Sequence, residues 1–143
     1  MPNANTPPFH LAFPVDDLTT IRSFYLEVLQ CQIGRESDRW IDFNFFGHQI
    51  TAHLNATSRA KVGRNNVDNK AIPARHFGVI LAWSDWDELV SRVRAHKVKF
   101  YLEPYTRFAG EVGEQRTFFI QDPSGNFLEF KCFRDMNYVF KAE

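Results

Sequence analysis

The chain has 143 residues, 17 Lys+Arg against 17 Asp+Glu, 44% hydrophobic and 24% charged residues. Such a composition belongs to a soluble globular domain and excludes a disordered chain; at this length roughly two-thirds of the unfolded surface can be buried without disulfides or a structural metal. Zero net charge gives no basic footprint for nucleic acid or an anionic membrane, and no apolar run approaches the roughly 20 residues that span a bilayer.

Residues 1–8 are polar with prolines and lack the charged stretch and apolar core of a leader, so a cytoplasmic protein is expected. Residues 9–15 form an apolar run that predicts a strand, and Leu18, Ile21, Tyr25 and Val28 follow at helical spacing. Ile41, Phe43 and Phe45 then alternate with Asp42 and Asn44, Gly47 supplies a turn, and 49–54 alternate again, which predicts a hairpin. Residues 56–74 are polar, rich in Asn, Arg and Lys, and without a sustained period; they read as a solvated linker. A second strand-like run covers 76–82. Ser84 with Asp87 reads as an N-cap pair before a helix carrying Trp86, Leu89, Val90 and Val93. Strands follow at 100–103, 117–121 and 127–133, with a turn at Asp122-Pro123-Ser124-Gly125, an irregular stretch at 104–115, and a tail from 134 to 143.

Each half therefore runs strand, helix, then about three strands, an internal repeat. The predicted class is α+β, with one module over about 9–55, a linker over 56–74, and a second module over about 75–133. Fifteen Phe are available for the core. Cys31 and Cys132 lie in no CxxC and read as reduced thiols.

The candidate chemistry sits on the repeated strands. His10 shares a strand face with Ala12, His76 shares one with Gly78, and Glu129 interrupts the apolar closing strand, where a carboxylate needs a partner or solvent. A lone strand histidine is more often a satisfied core or surface residue than a ligand, and Glu129 alone could pair with an arginine. Two imidazoles opening equivalent strands, joined by a carboxylate on the closing strand, also make the facial triad that binds a divalent transition metal with positions left open. Both readings stand on the residues alone.

The chain from His10 to Phe133 resembles the vicinal oxygen chelate superfamily, which includes glyoxalase I, extradiol dioxygenases, fosfomycin-resistance transferases and bleomycin-binding proteins. The paired modules, the two strand-opening histidines and the run Asp122-Pro123-Ser124-Gly125-Asn126-Phe127-Leu128-Glu129 carry the resemblance. Within the superfamily the chain looks most like small predicted extradiol-type dioxygenases. The resemblance implies modules whose sheets curl around a metal-binding cleft, with His10, His76 and Glu129 as ligands. Fe(II) or Mn(II) is the expected ion, although such a site also accepts Zn(II), Ni(II) or Co(II). It further implies a small-molecule substrate and a homodimer.

Aligning Gly47–Thr51 with Gly125–Glu129 sets Thr51 where glyoxalase I members carry a fourth ligand that also moves protons; threonine cannot act as that base. Phe119 stands where extradiol enzymes commonly have a tyrosine, and 110–117 contain no histidine. The acid/base group must then come from elsewhere. His53, two residues beyond Thr51 and on its strand face, is the candidate; a barrel-interior histidine is the alternative. Thr51, Tyr101, Tyr105, Arg107 and Arg116 are candidates for substrate contact, and an arginine there would suit an anion. His48 and His96 read as structural or solvated, and Trp40, Trp83 and Trp86 as packing residues.

Overall fold

The structure, a computed structural model, describes residues 6–56 and 63–142. The order is β1 (His10–Val15), α1 (Leu18–Ser23) running into one π-helical turn (Phe24–Val28), β2 (Gln32–Glu36), β3 (Trp40–Phe45), β4 (His48–Leu54), β5 (Arg64–Val67), β6 (Lys70–Pro73), β7 (Phe77–Leu81), α2 (Trp83–Ala95), β8 (Phe100–Arg107), β9 (Gln115–Gln121), β10 (Phe127–Phe133) and a 3₁₀ turn (Met136–Tyr138). No helix among the described residues is long and apolar enough to cross a membrane. The chain divides into two compact units, one of Met1–Lys61 with Asp122–Asn126, the other of Val62–Gln121 with Phe127–Glu143.

The first unit holds a mixed four-stranded sheet in the order β1-β4-β3-β2. Asp17 caps α1 by accepting from the Thr19 N–H at 2.9 Å. The apolar residues at helical spacing behave as the periodicity requires: Ile21 and Tyr25 are fully buried and Val28 nearly so. Tyr25 stacks on Phe43 at 4.9 Å and tilts against Phe13, so the helix covers the sheet face that carries Phe13, Ile41, Phe43 and Ile50. Between β3 and β4, Phe46 and Gly47 both have positive φ, the type I′ geometry whose twist matches a hairpin, and Asn44 Oδ1 accepts from the Gly47 N–H.

The turn Asp122–Asn126 also belongs to this unit. Asp122 accepts from the Ser124 and Asn126 backbone N–H groups, the Asn126 amide and the buried Tyr25 hydroxyl, each at 2.9 Å. Ser124 Oγ accepts from the Asp16 N–H and donates to the Asp16 carboxylate, while the Asn126 amide donates to the Pro14 carbonyl. Burial pushes the Asp122 carboxyl up despite these donors. Burial and the neighbouring Asp122 push the Tyr25 phenol well above its ordinary value.

The second unit repeats the topology as β7-β10-β9-β8, with β10 parallel to β7 and antiparallel to β9. Trp86, Leu89 and Val93 of α2 are buried, and the Trp86 indole N–H donates to the Phe130 carbonyl. Three expectations need correction here. The helix begins two residues early, with Ala82 as an N-cap that makes no side-chain bond; Ser84 and Asp87 lie inside its first turns, and Asp87 instead accepts from Arg116. Strand β8 runs four residues further than its apolar pattern, through Pro104. This is tolerated because β8 is an edge strand with register shifts at Phe100/Leu102 and Leu102/Tyr105.

Part of the presumed linker is a third small sheet: β5 and β6 pair as a hairpin whose turn residues Asp68 and Asn69 take positive φ. The rest of that linker, 57–62, lies outside the described residues. The hairpin has no hydrophobic alternation because side chains hold it: Tyr101 donates to the Ala71 carbonyl and accepts from Arg64. Lys70 lies over the Tyr105 ring, and Arg107 Nε approaches Asp68 at 2.6 Å, as an ion pair without hydrogen-bond alignment.

Candidate functional site

Strand register makes the repeat explicit. In the parallel pair β1/β4, Ala12 lies opposite Thr51; in β7/β10, Gly78 lies opposite Glu129. Thr51 is thus the counterpart of Glu129, and His10 stands two residues before Ala12 as His76 stands two before Gly78. Gly78 is required by that pairing, since a Cβ built on it would overlap the Glu129 carbonyl oxygen and lie 2.6 Å from its carbon.

In the second unit His76 and Glu129 meet. The His76 Nδ1 is 2.8 Å from the Pro73 carbonyl, which can only accept, so the ring carries its proton there. Its Nε2 faces Glu129 Oε1 at 3.2 Å, and the ring packs edge-on against Phe119 at 5.0 Å. The other carboxylate oxygen accepts from the buried Thr117 hydroxyl at 2.6 Å. The hydrogen bond to Glu129 raises the His76 pKa against the effect of burial. Burial alone would raise Glu129, yet the bonds from His76 and Thr117 and the Lys131 charge hold it below the ordinary glutamate value. With Nδ1–H committed to Pro73, a neutral ring would present its Nε2 lone pair to a carboxylate oxygen. That arrangement calls for a cation between the two, a proton or a metal ion, and an imidazole oriented through its other nitrogen is the usual support for a metal-bound histidine.

In the first unit His10 is exposed at the head of β1. Thr51 is buried and donates to Asp42 Oδ1 at 2.6 Å, and Asp42 Oδ2 lies 3.6 Å from Arg35. Asp42, buried beside a hollow of about 360 Å³ lined in part by Arg35, Asn44 and Gln49, is the residue sequence reasoning missed. Alternation marks it as an outward polar residue; counting the hairpin register back from Gly47 would have set it opposite Thr51. His53 is exposed, opposite Trp40 and Pro14.

Tyr101, Tyr105 and Arg107 lie under the β5–β6 hairpin as described. Arg116 alternates with Thr117 and so points to the sheet face opposite Glu129. There it lies 3.7 Å from the Trp83 ring centroid and 4.2 Å from that of Trp86, and donates to Asp87 and the Trp83 carbonyl. Those contacts hold α2 to the sheet. His96 is the C-cap of α2, and Cys31 and Cys132 are buried free thiols. Among the described residues, no three His, Cys, Asp or Glu side chains gather closely enough to hold a metal ion. His76 and Glu129 come together in the second unit, and His10 belongs to the first.

The family model for the glyoxalase/bleomycin resistance protein/dioxygenase superfamily matches residues 8–130. A crystal structure of a glyoxalase/bleomycin resistance protein/dioxygenase from Alicyclobacillus acidocaldarius is similar at 33% identity and TM-score 0.80, over 98% of this chain and 100% of that one. The fosfomycin resistance protein FosX from Listeria monocytogenes shares the fold at 16% identity and TM-score 0.69, over 93% and 97% of the two chains. Lactoylglutathione lyase from Agrobacterium tumefaciens does so at 18% and 0.62, over 91% and 96%. No curated protein matches the chain. A match over most of the sequence, on two sheets of identical strand order, places this chain in the glyoxalase/bleomycin resistance protein/dioxygenase superfamily.

Proposed function

We propose that the chain is a metal-dependent enzyme of the vicinal oxygen chelate type, acting on a small molecule with two adjacent oxygens. In this reading His10, His76 and Glu129 hold one divalent ion, Fe(II) or Mn(II) before Zn(II), Ni(II) or Co(II). The supporting observation is the oriented His76 imidazole, whose Nε2 is turned to a carboxylate oxygen at 3.2 Å. His10 enters by its equivalent register position.

Bound there, the ion would supply Lewis acidity to the substrate's oxygens. The protein's own contribution is positional: Pro73 fixes the ring, Thr117 fixes the carboxylate, and Phe119 shields the imidazole edge from water. Thr51, its proton directed to Asp42, offers lone pairs to a substrate hydroxyl. His53 is the proton carrier in this scheme, and Tyr101, Tyr105 and Arg107 act from beneath the hairpin. The finer reading is an extradiol-type dioxygenase-like reaction on a substrate such as a catechol. A transferase or lyase working without dioxygen is the second reading, and the absence of a hydroxyl at Phe119 favours it. A homodimer is part of the proposal.

Metal analysis of anaerobically purified protein tests the central reading. One equivalent of a divalent metal is expected, falling at least about tenfold in His10→Ala, His76→Ala and Glu129→Ala, the range for loss of a ligand or its support. Full metal content in Glu129→Ala would overturn it, as would a metal-free protein that instead binds a planar ligand tightly. Oxygen uptake on catechols then separates the two finer readings.

A further inference from the structure

The β5–β6 hairpin has almost nothing of its own to bury. Every residue of β5 is exposed, and in β6 Pro73 alone is buried. A two-stranded hairpin of this kind is marginal in water, so its position is set by what ties it down. Lys70 lies over the Tyr105 ring, Asp68 in the turn pairs with Arg107, and Arg64 lies 5.6 and 5.2 Å from the ring centroids of Tyr101 and Phe127. Tyr105 stands opposite Thr117, and Phe127 two residues before Glu129, so these ties fall on the sheet face that carries Glu129. One tie reaches both strands of the hairpin at once. The Tyr101 hydroxyl donates to the Ala71 carbonyl of β6 at 2.9 Å and accepts from Arg64 Nε of β5 at 3.0 Å. Ala71 lies two residues before Pro73, and Arg64 is the residue paired with Pro73 across the hairpin, so the partners of a single hydroxyl bracket the last residue of β6.

We propose that Tyr101 is a positioning residue for the His76 imidazole and acts through the hairpin: its hydroxyl sets β6, β6 sets the Pro73 carbonyl, and that carbonyl holds Nδ1–H so that Nε2 stays turned to Glu129. The last link is short, since Pro73 presents its carbonyl to His76 Nδ1 at 2.8 Å and only three residues on. The proline ring also removes one of the two backbone rotations that could turn this carbonyl independently of the strand. The consequence for metal affinity rests on the metal reading of His76 and Glu129 given above; the orientation of the ring does not. Sequence hides the connection, because Tyr101 lies 30 positions beyond Ala71 and the hairpin between them and the histidine has no apolar alternation to announce it.

The test uses the full-length protein, both metal-free and loaded with Zn(II). Zn(II) affinity is measured by competition with a chelator, and the His76 ring proton is followed by NMR with labelled histidine, assigned by its loss in His76→Gln. Tyr101→Phe removes the hydroxyl and keeps the ring against Phe127. It should bind Zn(II) about tenfold more weakly or worse, the range for losing the support of a ligand, and its Nδ1–H should exchange faster with water in both forms. Asp68→Asn loosens the turn from Arg107 without touching Tyr101 and should move both readouts the same way, but less. Glu103→Gln breaks only the exposed pair with Arg94 and should move neither. Wild-type exchange of the ring proton in Tyr101→Phe would overturn the role of Tyr101, whether or not Zn(II) binding weakens, and would leave the metal reading standing. A wild type that binds no Zn(II) would overturn the metal reading alone, because the ring proton still reports in the metal-free form: faster exchange in Tyr101→Phe then supports the positioning, and unchanged exchange refutes it.

Discussion

Replacing Tyr25 with Phe removes a single hydroxyl from a buried position and tests how the Asp122 turn is held. Asp122 accepts four hydrogen bonds, from Tyr25, the Asn126 amide and two backbone N–H groups. The variant deletes one of them, and a hydrogen bond to a charged acceptor contributes about 1.5–3 kcal/mol. Since the phenyl ring still fills its place against Phe13 and Phe43, no cavity term is added. Urea unfolding at pH 7 should therefore show a loss of about 1.5–3 kcal/mol, with a fall in Tm of roughly 5–10 °C at this chain length. The pH dependence supplies an independent check. The folded-state phenol pKa is raised, so above pH 10 the folded chain retains a proton that the unfolded chain has lost. Wild-type stability accordingly falls as pH rises through that window, by up to about 1.4 kcal/mol per unit, and the variant lacks this loss. The gap between the two proteins should narrow from pH 9.5 to 11. A loss below about 0.5 kcal/mol at pH 7, or a gap that stays constant with pH, would refute the reasoning.

Gly78→Ala sets a methyl against the Glu129 carbonyl and should cost about 1–3 kcal/mol or more, with reduced metal content, measured by urea unfolding and metal analysis; wild-type stability would show that β7 and β10 can separate at no cost. Chelator should lower the Tm of the metal-loaded protein by the binding linkage, about 2.7 kcal/mol at a hundredfold excess of ion over Kd, and Glu129→Ala should remove that sensitivity while remaining folded by circular dichroism. His53→Asn should retain metal and lose turnover on any substrate identified; if metal is lost together with activity, His53 is a ligand or a support for one and not the proton carrier.

The parts of the fold that sequence makes legible are those in which one residue type has one physical use. Strand β10 falls on its expected bounds because Leu128, Phe130 and Cys132 alternate without interruption. The β3–β4 turn follows from Gly47, and α1 with the π-helical turn that continues it follows from the spacing of Ile21, Tyr25 and Val28. Where contacts from elsewhere decide, the local signal points wrongly. Ser84 and Asp87 look like a cap, yet Arg116 recruits Asp87 and the helix starts at Trp83. Residues 64–73 look like solvent-exposed linker because the side chains that fix the hairpin, Tyr101, Tyr105 and Arg107, lie some thirty to forty positions away. The site divides likewise. Glu129 declares itself as a charge in an apolar strand, whereas Asp42 sits in a regular polar position and acquires meaning only from its hairpin partner Thr51.

The Asp122–Asn126 turn is encoded late in the chain but completes the unit built by its beginning. If the repeat arose by doubling of an ancestral half, the halves have since ceased to be interchangeable parts. A fragment ending at residue 61 would leave the Tyr25 hydroxyl, the Asp16 N–H and the Pro14 carbonyl without the partners that satisfy them, and the fragment beginning at 62 would carry five residues with nothing of their own unit to dock on. The protein is divisible as a diagram and indivisible as a polymer: any split gene, domain swap or circular permutation of it has to keep that turn with the half it does not adjoin.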